Sequence, residues 1–305
     1  MRARRISQIA SVFALNPFFP YLSSRVIYQG GIKHLCAPGL NCYACPLAAF
    51  ACPIGGLQHA FTLLSLRIRE FKLALGALAY VLGSVGLVGA VLGRIPCGWI
   101  CPFGFLQDLL YKLPLPKLRL PRRIDLGRYL FLVLVAVLIP FLTAQSWFSR
   151  LCPAGALEGG VFLKAVPPAS RLPETGWFFW LKIGILVFFL AWMAASKRPF
   201  CRAVCPLGAM FGMFNRVSLY RMAVDDSKCT ACNRCREVCP VDIEVSEDPN
   251  SPHCIRCLEC KRECPHAAIT SGFVRPAEGL RMTRREGAAP AQGAGSPRRE
   301  GETPA

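Results

Sequence analysis

Residues 229–265 read CTACNRCREVCPVDIEVSEDPNSPHCIRCLECKRECP, which is C-x2-C-x2-C-x3-C-P twice over. Thiolates at this spacing wrap an iron–sulfur cubane, and the fourth cysteine of each run ligates the other cluster. The spacing predicts two [4Fe–4S] clusters. One takes Cys229, Cys232, Cys235 and Cys264; the other takes Cys254, Cys257, Cys260 and Cys239. C-x2-C pairs also build zinc ribbons, but eight cysteines in the crossed bacterial pattern favour iron–sulfur. His253 and His266 flank ligand cysteines and are read as surface or supporting residues, since each cluster already has four sulfurs.

A second group of cysteines lies beside long apolar runs. CGWICPFG (97–104) has a twin in CRAVCPLG (201–208), and the pattern C-P-x-G-x-[L/M] recurs at 52, 101, 152 and 205. A period near fifty residues marks an internal repeat, here one helix followed by a Cys-Pro turn. Proline moves the preceding residue out of the α region and suits the first helical position. The cysteine then caps the next helix, where the dipole favours a thiolate. With one span per unit, successive turns alternate sides of the membrane. Cys97, Cys101, Cys201 and Cys205 then share the inner side; Cys42, Cys45, Cys52 and Cys152 share the outer side, and Cys36 is left over. These sets could hold one or two more [4Fe–4S] clusters; zinc and disulfides remain open readings.

Three runs are long and apolar enough to span a bilayer: 71–93, about 126–145 and about 177–196. Pro140 should kink the second. A weaker fourth run, about 6–24, contains Asn16, Pro17 and Pro20; it lacks an A-x-A-like cleavage site and reads as an uncleaved anchor. The fold class expected is a mainly α membrane protein with four transmembrane helices in two pseudo-repeated halves, plus a C-terminal bacterial-type 2[4Fe–4S] ferredoxin module. The domains fall at 1–220, 221–271 and a disordered tail at 272–305, rich in Gly, Ala, Pro and Arg. Basic residues crowd the 94–125 loop and the start of the last loop (Lys197, Arg198, Arg202), which places both termini in the cytoplasm.

Composition agrees. Hydrophobic residues make up 53% of the 305. Seventeen cysteines, an odd number in a long chain, fit thiolate ligation better than structural disulfides. The net charge of +18 sits at the ends of apolar runs and in the tail, so it reads as topology signal and lipid contact, not nucleic-acid binding. The ferredoxin segment is mildly acidic, with nine acids against six bases between 225 and 264, as a docking surface or an ordinary solvated one would be. No haem is expected, because C-x-x-C-H is absent and only His34 and His59 lie near the membrane region. His59 could hydrogen-bond a quinone headgroup or be a satisfied buried histidine.

The constellation of CGWICP (97–102), CRAVCP (201–206) and the two ferredoxin runs resembles the bacterial membrane polyferredoxins of the NapH/MauN type. It is similar also to the C-terminal half of NosR and to CcoG. The resemblance covers roughly residues 1–270. It implies residence in the bacterial inner membrane and a quinol dehydrogenase component, moving electrons between quinol and a redox partner protein. An assembly factor that reduces a metal ion or a disulfide for another metalloenzyme is the alternative. Two departures stand out: the NCYACPLAAFACPIG segment is richer in cysteine than the nitrate-reductase member leads one to expect, and no flavin-attachment domain precedes the helices.

Overall fold

The computed structural model describes residues 2–18, 21–24, 26–42, 45–65, 71–165 and 176–273. The expected tail falls outside the described residues from 274 onward.

Among the described residues, three helices have the length and hydropathy to cross a membrane: Phe71–Leu92, Arg122–Thr143 and Trp177–Ala195. Only 17%, 17% and 22% of their most apolar windows are buried, so most of that apolar surface faces outward. Leu73, Leu82 and Leu87 on the first, Leu130, Val133 and Leu142 on the second, and Trp177, Trp180 and Phe188 on the third are all exposed. Contiguous apolar surface on this scale fits lipid as its solvent. In the second span the backbone runs as a π-helix over Phe131–Leu138, directly ahead of Pro140. Proline offers no N–H to the preceding turn, and shifting the hydrogen-bond register absorbs that loss.

Residues 6–24 do not form a fourth continuous span. A helix covers Arg2–Leu15 and stops ahead of Pro17. Proline disfavours the α region for the residue before it, which explains the stop. After two short helical turns at Tyr21–Ser24 and Gly31–His34, an apolar helix at Pro53–Ser65 packs along helix 71–92; a Cβ on Gly56 would stand 2.9 Å from Val81. The intervening stretch carries Cys36, Cys42, Cys45 and Cys52. It lies beside the middle of a span, for the Cys36 N–H donates to Tyr80 Oη at 3.1 Å.

Each C-x3-C-P run folds as two short helices. Ile95–Trp99 precedes Pro102–Leu110, and Pro199–Ala203 precedes Pro206–Phe214. The last of these seats Phe214 against Gly89 of helix 71–92, where a Cβ would meet the ring at 2.6 Å.

The C-terminal module is closed by an antiparallel pair, β1 (Tyr220–Val224) with β2 (Ile269–Phe273), in the register Tyr220↔Phe273 to Val224↔Ile269. β2 carries the module to Phe273. Cysteine-bearing loops and two short helices, Arg234–Glu237 and Glu259–Glu263, lie between the strands. Ala231, Asn233, Asp242, Arg256, Leu258 and Ala267 adopt left-handed backbone there, which folds the loops tightly enough to turn several thiols toward common centres.

The module is fastened to the membrane helices through buried polar contacts. Arg256 donates to the Leu92 carbonyl at 3.0 Å and the Asn215 carbonyl at 2.6 Å. Asn215 in turn donates to the carbonyls of Ser251 and Cys254, each at 2.7 Å. Trp99 Nε1 donates to the Arg256 carbonyl at 3.0 Å.

Candidate iron–sulfur sites

Cys229, Cys232, Cys235 and Cys264 line one pocket of the ferredoxin module, together with Val224, Ala268 and Ile269. The pocket opens to solvent at Cys232, which is exposed. Cys239, Cys254, Cys257 and Cys260 lie within electrostatic reach of one another; Cys254, whose closest thiol influences are Cys239 and Cys257, is buried among them. Burial and the neighbouring thiols push Cys254 up to about 12 and Cys257 to about 11. Backbone N–H groups of Val241, Asp242 and Ile243 point at Cys239, and the Arg256 N–H donates to Cys254 Sγ at 3.4 Å.

The turns at 97–101 and 201–205 meet. Cys101 and Cys205 each feel both Cys97 and Cys201, and all four are buried. None of them forms a disulfide. Cys101 caps the helix starting at Pro102, accepting from the Gly104 N–H at 3.4 Å, and Cys205 accepts from Gly208 at 3.4 Å in the same way. Gln107 Nε2 donates to Cys201 Sγ at 2.9 Å. Burial first, then the other thiols, raises Cys101 to about 12. Four buried thiols cannot ionise together in a low dielectric unless a multivalent cation stands among them. Iron supplies that charge, and the N–H donors suit anionic sulfur, so the residues fit a cluster.

This group abuts the ferredoxin. A Cβ on Gly98 would stand 2.5 Å from the Ile255 carbonyl oxygen and 3.7 Å from Cys257 Cα. Arg198 lies within electrostatic reach of both Cys201 and Cys257.

The remaining cysteines are not placed on the opposite membrane face, as the one-span-per-unit pattern predicts. The Leu40 N–H points at Cys101 Sγ, and the next N–H, of Asn41, points at Cys52 Sγ. Adjacent peptide nitrogens are at most about 3.8 Å apart, so the two sulfurs lie within roughly 12 Å. A hydrocarbon core is about 30 Å thick. The physical reason is the break at Pro17: the chain does not cross before Cys52 but folds back along helix 71–92. Cys42, Cys52 and Cys152 come together, with Cys42 Sγ 3.0 Å from where a Gly155 Cβ would be. Cys45 sits to one side, near Glu158 and Lys33. Cys36, left over in the sequence, flanks Cys52 on the other side. The Cys42 N–H donates to Glu158 at 2.8 Å, and burial raises that carboxyl to about 7. His59 is exposed on the outside of helix 53–65, away from these thiols.

Sequence reasoning missed the buried cations. Arg94, Arg128, Arg198 and Arg256 are each at most 1% exposed. The signal for two of them was present: an arginine precedes the first cysteine of both C-x3-C-P runs by three residues, in RIPCGWICP and RPFCRAVCP.

A 4Fe–4S binding domain family matches residues 73–121 and 177–222, and a second family of the same description matches 222–244. An uncharacterized protein of Methanocaldococcus jannaschii is 30% identical over 214 residues, 66% of this chain and 82% of the relative. The ferredoxin-type protein NapH of Haemophilus influenzae is 31% identical over 195 residues, 57% of this chain and 61% of NapH. The methylamine utilization ferredoxin-type protein MauN of Methylorubrum extorquens is 31% identical over 171 residues, covering 51% and 54%. No solved structure matches. Fold and matches together define a membrane protein that binds 4Fe–4S clusters. The chain belongs to the NapH/MauN family of ferredoxin-type proteins.

Proposed function

We propose that this protein is an electron-transfer subunit of the bacterial inner membrane, connecting the quinone pool to a redox partner protein. The observation that carries the reading is the seating of Gly98 on Ile255 and Cys257, which sets the C-x3-C-P cysteines against the ferredoxin module. The cysteine groups then form a row. Cys229, Cys232, Cys235 and Cys264 hold one cluster at the exposed end, and Cys239, Cys254, Cys257 and Cys260 hold the next. Cys97, Cys101, Cys201 and Cys205 hold a third. Cys42, Cys52 and Cys152, with Cys45 or Cys36, make a fourth site. Bound [4Fe–4S] clusters supply one-electron carriers. The chain holds them in order, keeps water from the inner ones by burial, and bridges the two membrane groups with the Leu40–Asn41 peptide. The matching C-x3-C-P segments in 73–121 and 177–222 support two pseudo-repeated halves, and the basic 94–125 loop with Lys197, Arg198 and Arg202 supports both termini in the cytoplasm.

The test is anaerobic purification of the full chain with iron and sulfide counts, then addition of quinol. We expect more than the roughly eight irons that two cubanes account for, and cluster reduction by quinol. A protein that ignores quinol but reduces cupric ion or a disulfide is an assembly factor instead.

A further inference from the structure

Arg94 is 1% exposed and stands in none of the ion pairs among the described residues. Its Nη1 donates to the carbonyls of Pro252 at 2.9 Å and His253 at 3.2 Å, and its Nε has no partner. An uncompensated charge in the interior costs several kcal/mol, and neutral carbonyls do not cancel it. A buried guanidinium of this kind calls for an anion beside it.

The position of the side chain indicates where that anion belongs. Arg94 precedes Cys97, but its Nη2 lies 2.7 Å from where a Cβ on Gly208 would be, in the first turn of the helix that Cys205 caps. Arg198 precedes Cys201 and does the converse. Its Nη1 lies 3.3 Å from the corresponding point on Gly104 and donates to the Cys97 carbonyl at 2.9 Å. Each C-x3-C-P segment thus sends its arginine across to the other segment's capped helix. Arg198 is held in left-handed backbone (φ 44°), a strained conformation for this residue type that persists where surrounding contacts impose it. Its carboxylate partner, Asp108, is shared with Arg4 and Arg5, so positive charge exceeds negative here as well.

We propose that the crossed guanidiniums of Arg94 and Arg198 are the counter-charges of a net-anionic cluster on Cys97, Cys101, Cys201 and Cys205, and that they raise its reduction potential. The proposal rests on the third cluster site above. A fixed cation near a redox centre favours the more negative, reduced state. Arg198 also reaches Cys257, so it biases where an electron rests between the membrane group and the ferredoxin. Both arginines are positioning residues.

The experiment uses the full chain in detergent, purified anaerobically, with iron counts and EPR-monitored redox titration of wild type, Arg94→Gln, Arg94→Lys and Arg198→Lys. In wild type we expect more than about eight irons and at least one EPR component beyond the ferredoxin pair. In Arg94→Gln that component shifts at least tenfold toward its oxidised form at fixed potential, about 59 mV for one electron, with the ferredoxin components unmoved. The two lysine variants retain most of the wild-type value. A wild type with about eight irons overturns the site and the proposal together. A full iron complement with an unmoved potential in Arg94→Gln overturns the proposal alone and leaves Arg94 as a tether for the ferredoxin loop. If Arg94→Gln loses iron, Arg94→Lys decides: retained iron supports the charge role, and equal loss overturns it.

Discussion

Asp108 shows how single charges are used at the junction. Burial alone would raise its carboxyl, but Arg198, then Arg4 and Arg5, outweigh burial and hold it down at about 2. The folded value lies below the unfolded one near 3.9, so the stabilisation is present in full above about pH 4 and fades as pH falls toward 2. Removing one partner of a buried ion pair costs about 3–5 kcal/mol. Asp108→Asn should therefore lower stability by that order at pH 7, and the gap to wild type should narrow below pH 4. Thermal unfolding across that range checks it. At this scale the ferredoxin signature was legible, because C-x2-C-x2-C is local in sequence and a 4Fe–4S binding family matches residues 222–244. Arg94 and Arg198 were not, because each acts on a residue about a hundred positions away; only their matching offset from the cysteines hinted at a role.

Among the elements, the short helices after each Cys-Pro turn owe their start to the same two residues, a proline at the first helical position and a sulfur that accepts the third N–H. That much could be read from CPFG and CPLG. Glycine's part at 98 could not, since nothing in the sequence says that Ile255 comes to rest there. Gly98→Ala drives a methyl to within 2.5 Å of that backbone oxygen, which cannot rotate away. We expect a loss of about 1–3 kcal/mol, with the ferredoxin module loosened. Faster limited proteolysis near residues 215–228, with Gly160→Ala as an unaffected control because nothing lies within 4 Å of it, is the readout. The three spans were legible from hydropathy. The first run was misread because its prolines lie in a stretch that is apolar on average; hydropathy averages over breaks that backbone chemistry enforces.

For the whole molecule, buried thiols and buried guanidiniums are two halves of one electrostatic arrangement. Arg94, Arg128 and Arg256 lack carboxylate partners within ion-pair distance among the described residues, and all three lie where ferredoxin and membrane helices meet. Stripping iron with a chelator leaves Arg94, beside Cys201, and Arg256, beside Cys254, without counter-charge and the thiols protonated. The melting temperature should fall by the equivalent of several kcal/mol, more than removal of the solvent-facing site alone would cause. Differential scanning of holo and chelated protein, and of a Cys232→Ser variant that lacks only the exposed site, separates the two. The sequence pattern placed the two membrane groups on opposite faces, because it counted one crossing for each repeat. The break in the first run leaves the Cys36–Cys52 stretch beside helix 71–92, which brings both groups alongside each other.

Arg4 donates to the Gly98 carbonyl at 3.0 Å and to Glu259 at 3.2 Å, and also pairs with Asp108. The beginning of the chain is therefore clasped between its middle and its end. During biosynthesis the contacts to Gly98 and Asp108 can close well before residue 259 has left the ribosome, so Arg4 is already in place when Glu259 arrives and the ferredoxin closes onto a junction that is waiting for it.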